Sequence, residues 1–360
     1  AEFEKKVANY CGVKYAVAVS SGTAALHLAC LAAGISGGDE VITSPITFVA
    51  SANCALYVGA RPVFADIRPD TYCIDAGEIR KKLTSKTKAV IPVDFAGHPC
   101  DIDDINSIAR ERGLVVIEDA AHSLGAEFKG QKVGCLADMT VFSFHPVKHI
   151  TTGEGGMVVT NRKDFYDKLV LLRSHGITRN QELFVQPCSV LQPSTLNPQP
   201  SYPEWYYEMQ ELGFNYRITD FQCALGISQM DKLDGFVQRL RGIAEAYDQA
   251  FQGIDELITP VALPDCKSSY HLYPIQFRTV SRNEAFSSLR EKGIGVSVHY
   301  IPVHLQPYYR KTFGYGEGDF PVAEEYFSRC LSLPIHQGMT DEEISYVIDG
   351  ILTVAKEISK

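Results

Sequence analysis

One lysine stands where a nucleophile would be useful. Lys148 lies in Ser143-Phe144-His145-Pro146-Val147-Lys148-His149-Ile150-Thr151-Thr152-Gly153-Glu154-Gly155-Gly156, between two apolar runs, 140–144 and 157–160, that read as strands. An amine held at a strand end among aromatic and apolar groups loses the water that favours its charged form, and a neutral amine attacks aldehydes. Upstream, Val115-Val116-Ile117-Glu118-Asp119-Ala120-Ala121-His122 closes another apolar run with two carboxylates. A buried Asp needs a cation beside it. A protonated pyridine nitrogen would supply one, and the ion pair would keep such a ring an effective electron sink. His122 follows Asp119 by one helical turn. Ser20-Ser21-Gly22-Thr23-Ala24-Ala25 follows the run 15–19 and opens a helix, where small residues and free N–H groups suit a phosphate. Phe48, just past the run 40–43, offers a ring face for stacking.

Each piece also has a plainer reading. Ser21 suits an N-cap beside a tight turn, Asp119 a cap of the next helix, Lys148 a surface position in a Gly-rich hairpin, and Phe48 an ordinary core side chain. A lone His is more often structural than catalytic. What gives the set its specificity is order: cradle, aromatic, acidic strand end and loop lysine come in succession, each after a different strand.

Those strands must form one sheet. Runs at 15–19, 40–43, 62–65, 89–93, 114–117, 140–144 and 157–160 are short, Val/Ile-rich and bounded by Gly, Pro or Asp, with helical patterns such as 24–33 and 102–112 between them. The alternation predicts an α/β fold: a mostly parallel seven-stranded sheet, covered on both faces, with ligands beyond the carboxyl ends of its strands. Residues 182–202 carry Pro187, Pro193, Pro198 and Pro200 among Ser, Thr, Asn and Gln, and read as a long surface loop. An amphipathic helical stretch at 218–251 leads into strands (270–277, 295–300) and helices (282–292, 341–360). The expected organisation is a large domain, 1–235, and a smaller C-terminal α+β domain, 236–360.

Bulk properties narrow the class. A 360-residue chain with 45% hydrophobic and 21% charged residues is globular. The net charge of −9 argues against nonspecific nucleic-acid binding. Ten cysteines include no CxxC pair, so neither a zinc ribbon nor a redox dithiol is expected, and a reducing cytoplasm suits them. No run of 18 apolar residues suggests a membrane span. The chain opens Ala1-Glu2-Phe3-Glu4, without Met and inside an apparent helix, so an N-terminal piece is expected to precede it.

From residue 3 to about 351 the chain resembles the DegT/DnrJ/EryC1/StrS family of sugar aminotransferases, within fold type I (aspartate-aminotransferase-like) of pyridoxal-phosphate enzymes. The motifs are SSGTAAL (20–26), EDAAHSLG (118–125), SFHPVKHITTGEGG (143–156) and ELGFNYRITDFQCALG (211–226). The resemblance implies pyridoxal 5'-phosphate as cofactor and Lys148 as the catalytic, Schiff-base lysine. Asp119 is then the partner of the pyridine nitrogen and His122 lies near the ring hydroxyl. Thr23, Ala24 and Ser143 match phosphate contacts, Phe48 the stacking aromatic, and Asn215 a residue reaching the phosphate in the neighbouring subunit, hence a homodimer with shared active sites. A dehydratase relative carries His at the lysine position. Counting back from Gly153-Glu154-Gly155-Gly156 and forward from Ser143 puts Lys148 there, with His149 next to it, which favours transamination.

The segments LLRSHGIT (171–178), PEWYYEMQELGFNYR (203–217), SSYHLYPI (268–275) and GIGVSVHYIPVHLQPYY (293–309) resemble the branch that serves pseudaminic-acid synthesis. That branch implies a UDP-linked 4-keto-6-deoxy-N-acetyl hexose as acceptor and glutamate as donor, with 2-oxoglutarate released. His145, His175, His299 and Tyr300 are candidate sugar contacts, although each suits an ordinary core or surface position equally well. The competing readings are a 3-aminotransferase, a perosamine-type 4-aminotransferase, a dehydratase, or a catalytically silent binding relative.

Overall fold

The computed structural model describes residues 1–186 and 202–357. The central sheet has seven strands in the spatial order Tyr15–Val19, Gly156–Thr160, Met139–Ser143, Val115–Asp119, Thr87–Ile91, Glu40–Thr43, Arg61–Phe64. Pairing is parallel from Met139–Ser143 across to Arg61–Phe64, and Gly156–Thr160 runs antiparallel to both its neighbours. The strands are nearly uninterrupted Val, Ile, Ala and Phe because both faces are covered. One face packs on the helices Gly22–Ala32, Ala50–Tyr57 and Lys163–Arg173, through Leu28, Cys54 and Leu169 among others. Ile105 and Ile108 of Ile102–Arg112 join a second buried cluster that Tyr309, Phe320 and Tyr326 of the C-terminal part complete.

This arrangement brings the chemistry to one edge. The carboxyl ends of Tyr15–Val19, Glu40–Thr43, Val115–Asp119 and Met139–Ser143 lie together, as does the amino end of Gly156–Thr160. There Gly156 pairs with both Val19 and Ser143. A Cβ on Gly156 would collide with the Ser21 carbonyl and the Gly22 nitrogen. Gly156→Ala is therefore expected to destabilise the fold by ~1–3 kcal/mol, the usual scale for overpacking, and to weaken cofactor retention. Denaturant melts of the two proteins check it, and equal midpoints would remove the close approach from consideration.

The C-terminal region has its own core, built on Tyr273, Ile275 and Phe277 of Tyr273–Phe277, Leu331 of Cys330–Leu333 and Val347 and Ile351 of Asp341–Glu357. Three expectations shift. The stretch 218–251 is two helices, Asp220–Met230 and Leu233–Phe251, separated at Asp231-Lys232. Both flanking residues, Met230 and Leu233, stay buried against the N-terminal helix Glu2–Cys11, and Asp231 pairs with Lys6 at 2.5 Å, so the apolar pattern runs on across a break. Residues 295–300 alternate like a strand, but they make one bridge, Ser297 to Ser332, and then leave the sheet: the His299 carbonyl accepts from the Tyr326 hydroxyl at 2.9 Å instead of a ladder N–H. The strand expected over 270–277 starts only at Tyr273, because Ser268–Leu272 is tied to residues 96–97. Most of the expected loop 182–202 lies outside the described residues. Among those described, no helix is long and apolar enough to cross a membrane, and no Cys is paired.

Candidate active site

A cavity of about 390 Å³ opens at the carboxyl edge of the sheet. Its wall brings together Thr23, Phe48, Asp119, His122, Ser143, His145, Lys148 and Tyr300, eight of the residues singled out from sequence. They come from four strand-to-helix or strand-to-strand connections and from the C-terminal region.

Asp119 ends the strand Val115–Asp119 and is 5% exposed. Its Oδ2 accepts from the Ser51 hydroxyl at 2.6 Å and its Oδ1 from the Ala121 N–H at 3.1 Å. Burial nevertheless holds its carboxyl above the usual range, against the opposing pull of Ser51, Ala121 and the Lys148 amine. A buried carboxyl in that state gains from a cation placed in the cavity. Ser51 is itself bonded to the Thr47 hydroxyl at 2.7 Å, so a chain of two hydroxyls orients the acid.

Lys148 sits in the loop between Met139–Ser143 and Gly156–Thr160, its N–H donating to the His145 carbonyl at 2.9 Å. Among the described residues it forms no ion pair, and its amine lies 3.4 Å from Nε2 of His271. Burial lowers its pKa to about 8, with Asp119 pulling the other way. The amine is thus partly neutral at physiological pH, as a nucleophile must be.

His122 is buried, its Nε2 3.3 Å from the Tyr300 hydroxyl and its ring stacked on Tyr300 at 6.2 Å between centroids. Among the described residues its Nδ1 has no partner, a cost that a ligand atom would remove. Burial and the nearby Lys148 hold the imidazole well below its ordinary pKa, hence neutral. Phe48 is 58% exposed and tilts toward Tyr300, leaving a ring face on the cavity.

Ser21 caps the helix Gly22–Ala32 by accepting the Ala24 N–H at 3.1 Å, which leaves the first-turn N–H groups of Gly22 and Thr23 at the cavity wall beside Ser143. A Cβ on Gly22 would stand 3.0 Å from Cβ of Ser143, so glycine there keeps the cradle open. Ala24, buried with its N–H already committed to Ser21, lies behind the wall.

Within the wall, His145 stands 3.8 Å from Glu154. The wall does not include the other candidates. His299 turns its Nδ1 to the Ser332 hydroxyl at 2.9 Å, outside the wall. His175 is exposed, in left-handed backbone at φ 63, beside Asn215, which is also exposed and bridged to Ser174. Both lie on the ribbon formed by Ile177–Thr178 and Glu208–Met209 and its flanks. Ser51, Thr47 and His271 were not singled out from sequence. Ser51 sits three residues past Phe48, a helical-turn spacing that could have flagged it, and His271 lies inside SSYHLYPI.

The described residues fit pyridoxal 5'-phosphate: an amine of lowered pKa, a buried acid short of a cation, an orphan imidazole nitrogen, an exposed aromatic face and a helix N-terminus flanked by hydroxyls share one cavity. The comparisons agree. In Bacillus subtilis, the spore coat polysaccharide biosynthesis protein SpsC is 42% identical over 99% of this chain and 89% of its own length. In Campylobacter jejuni serotype O:23/36, UDP-4-amino-4,6-dideoxy-N-acetyl-beta-L-altrosamine transaminase is 38% identical over 100% of this chain and 90% of its own. The solved PLP form of Spr1654 from Streptococcus pneumoniae superposes with a TM-score of 0.88 at 31% identity, covering 99% of this chain and 91% of that one. The profile of the DegT/DnrJ/EryC1/StrS aminotransferase family matches residues 1–352, and the chain belongs to that family of pyridoxal-phosphate enzymes.

Proposed function

We propose that this chain transfers an amino group from glutamate to carbon 4 of a UDP-linked 4-keto-6-deoxy-N-acetylhexosamine, in the pathway to pseudaminic acid. The observation that carries the reading is one cavity holding a lysine amine with a pKa near 8 together with a buried, cation-deficient Asp119. The transaminase relative from Campylobacter supports the choice of sugar.

When bound, the cofactor supplies an electron-accepting ring that stabilises the charge left on carbon when its proton departs. Asp119 would hold a proton on the ring nitrogen, with Ser51 and Ala121 fixing the carboxylate. Lys148 would retain the cofactor at its aldehyde and, once free, carry a proton to and from the reacting carbons. General acid–base transfer of this kind contributes on the order of 10²–10⁴-fold. Thr23 and Ser143 would take the phosphate, with Ala24 behind Thr23 in the same helix turn, Phe48 would cover a ring face, and His122 would give its orphan Nδ1 to the ring substituent. Asn215 would reach across from a second copy, making a homodimer, while His145 and Tyr300, on the cavity wall, contact the sugar. The unpaired thiols suit a reducing cytoplasm.

The purified protein with cofactor and glutamate, offered UDP-linked and GDP-linked 4-keto sugars and a 3-keto sugar, should release 2-oxoglutarate and yield only the UDP-linked 4-amino product by NMR. Amination at carbon 3, preference for the GDP-linked sugar, or loss of water without amination would each overturn this assignment.

A further inference from the structure

His271 lies 123 residues beyond Lys148 and takes no part in the scheme above, yet its Nε2 is 3.4 Å from the Lys148 amine. The segment carrying it is held by several separate elements. Ser269 gives its N–H to the Gly97 carbonyl at 3.0 Å and its hydroxyl to the His122 carbonyl at 3.0 Å. The Ser269 carbonyl meets Nε2 of His149 at 3.0 Å, and the Ser268 carbonyl accepts from Arg241 at 2.8 Å. Leu272 N–H reaches the Ala96 carbonyl at 3.3 Å. The approach is close enough that a Cβ on Gly97 would stand 2.7 Å from the Ser269 hydroxyl and 2.8 Å from the Tyr270 nitrogen. Tyr270 itself is left-handed at φ 49, a conformation that costs an aromatic residue about 1–2 kcal/mol. Strain of this sort persists only where the surroundings over-determine the backbone, and here it delivers one imidazole.

That imidazole is neutral. Burial lowers its pKa well below the ordinary value, and His122, Lys148, His149 and His299 all add to the effect. Its ring centroid lies 4.4 Å from that of His122 and 5.5 Å from that of His149. In the tautomer that carries its proton on Nδ1, a neutral ring with Nε2 toward an amine accepts a hydrogen bond through that atom. An amine that donates one N–H to that Nε2 is thereby oriented.

Given that Lys148 is the reactive amine, as proposed above, we infer that His271 is a positioning residue: its Nε2 holds one N–H of Lys148 and aims the amine at the cavity whenever the lysine is not bonded to the cofactor. The groups facing this amine are Asp119 and His122 from the strand-end turn, His149 from its own loop, His271, and His299 and Tyr300 from the C-terminal region. Of these, Asp119 favours the ammonium form through its charge, and an Nε2 of His271 that accepts from the amine would favour it too.

The test uses His271→Leu, which removes the acceptor, and His271→Gln, which keeps one at similar reach. In the full-length protein with cofactor, His271→Leu should lower kcat by roughly 10–100-fold, the scale of a misplacement near 1 Å, with KM for glutamate changed less than about threefold. His271→Gln should recover most of that loss. Independently of substrate, acetic anhydride labelling of Lys148 in the cofactor-free protein, followed by peptide mapping against pH, should show a lower midpoint for His271→Leu than for the wild type and His271→Gln. If the leucine variant does not fold, His271→Asn, too short to reach the amine, takes its place. A wild-type kcat and an unmoved labelling midpoint would overturn the inference even if the sugar assignment stands. A moved midpoint with no activity on any sugar in the wild type would support the inference and sink the assignment.

Discussion

Lys148→Ala will abolish transamination, by at least about 10³-fold, and leave pyridoxal phosphate bound only by noncovalent contacts. The expected size follows from two losses at one atom. The first is the amine that retains the cofactor at its aldehyde. The second is the acid–base group that moves a proton between reacting carbons, worth on the order of 10²–10⁴-fold alone. The measurement is borohydride treatment of the cofactor-loaded protein and peptide mapping: the wild type should carry the cofactor on Lys148 and the variant nowhere. Covalent cofactor on a different lysine of the variant would falsify the assignment. The same chemistry sets a pH dependence. The amine titrates near pH 8 instead of its ordinary 10.5, because burial disfavours the ammonium. Capture of cofactor by the apo-protein, which needs the neutral amine, should therefore rise with pH through about 8, and a midpoint above 10 would show that the amine is solvated.

Asp119→Asn is expected to separate activity from stability. Asparagine carries no charge to keep a proton on the ring nitrogen, so kcat should fall by about 10²-fold or more, the scale seen when one preorganised electrostatic partner is removed. KM for glutamate should move little. Stability should go the other way. Burial raises the folded-state pKa of Asp119, which means that its ionised form is disfavoured in the cofactor-free fold and costs stability at neutral pH. That cost is present above the unfolded pKa and fades as the pH falls through the raised folded value. The neutral amide removes it, so at pH 7 the cofactor-free variant should melt at the wild-type temperature or higher. A kcat within about threefold of wild type, or a large drop in melting temperature, would place Asp119 in a purely structural role.

What could be read in the sequence was local. Lys148, Asp119, His122, Thr23 and Phe48 each follow a short apolar strand, and a parallel sheet puts such positions on one edge whatever the details of packing. The seven strands were legible to within two residues at each end, because a strand covered on both faces has no polar alternation to confuse it. The unread pairings are those set by long-range approach, even where, as with Tyr300, the residue itself was singled out. Ser51 bonds Asp119 across 68 residues, Tyr300 meets His122 across 178, and His271 meets Lys148 across 123. Beyond the three-residue spacing of Ser51 from Phe48 and the place of His271 inside SSYHLYPI, little marks them, since a Ser early in a helix and a His before an apolar strand are ordinary. Residues 295–300 misled for the opposite reason. Val296 and Val298 alternate with small or polar residues as a strand would, but the carbonyl of His299 is claimed by a side chain and the ladder stops after one rung.

The helix Leu233–Phe251 spans roughly 28 Å of chain at 1.5 Å per residue. Leu233 and Val237, near its start, are sunk in the cluster that holds the N-terminal helix, whereas Ile243, Tyr247 and Phe251, nearer its end, lie in the C-terminal core. Between them, Arg241 reaches sideways to the Ser268 and Gly125 carbonyls at 2.8 and 3.2 Å. A rigid rod clamped at both ends transmits torque. A swing of the C-terminal core relative to the sheet would load this shaft and its side bolt at Arg241, so the helix helps the cavity keep its gauge.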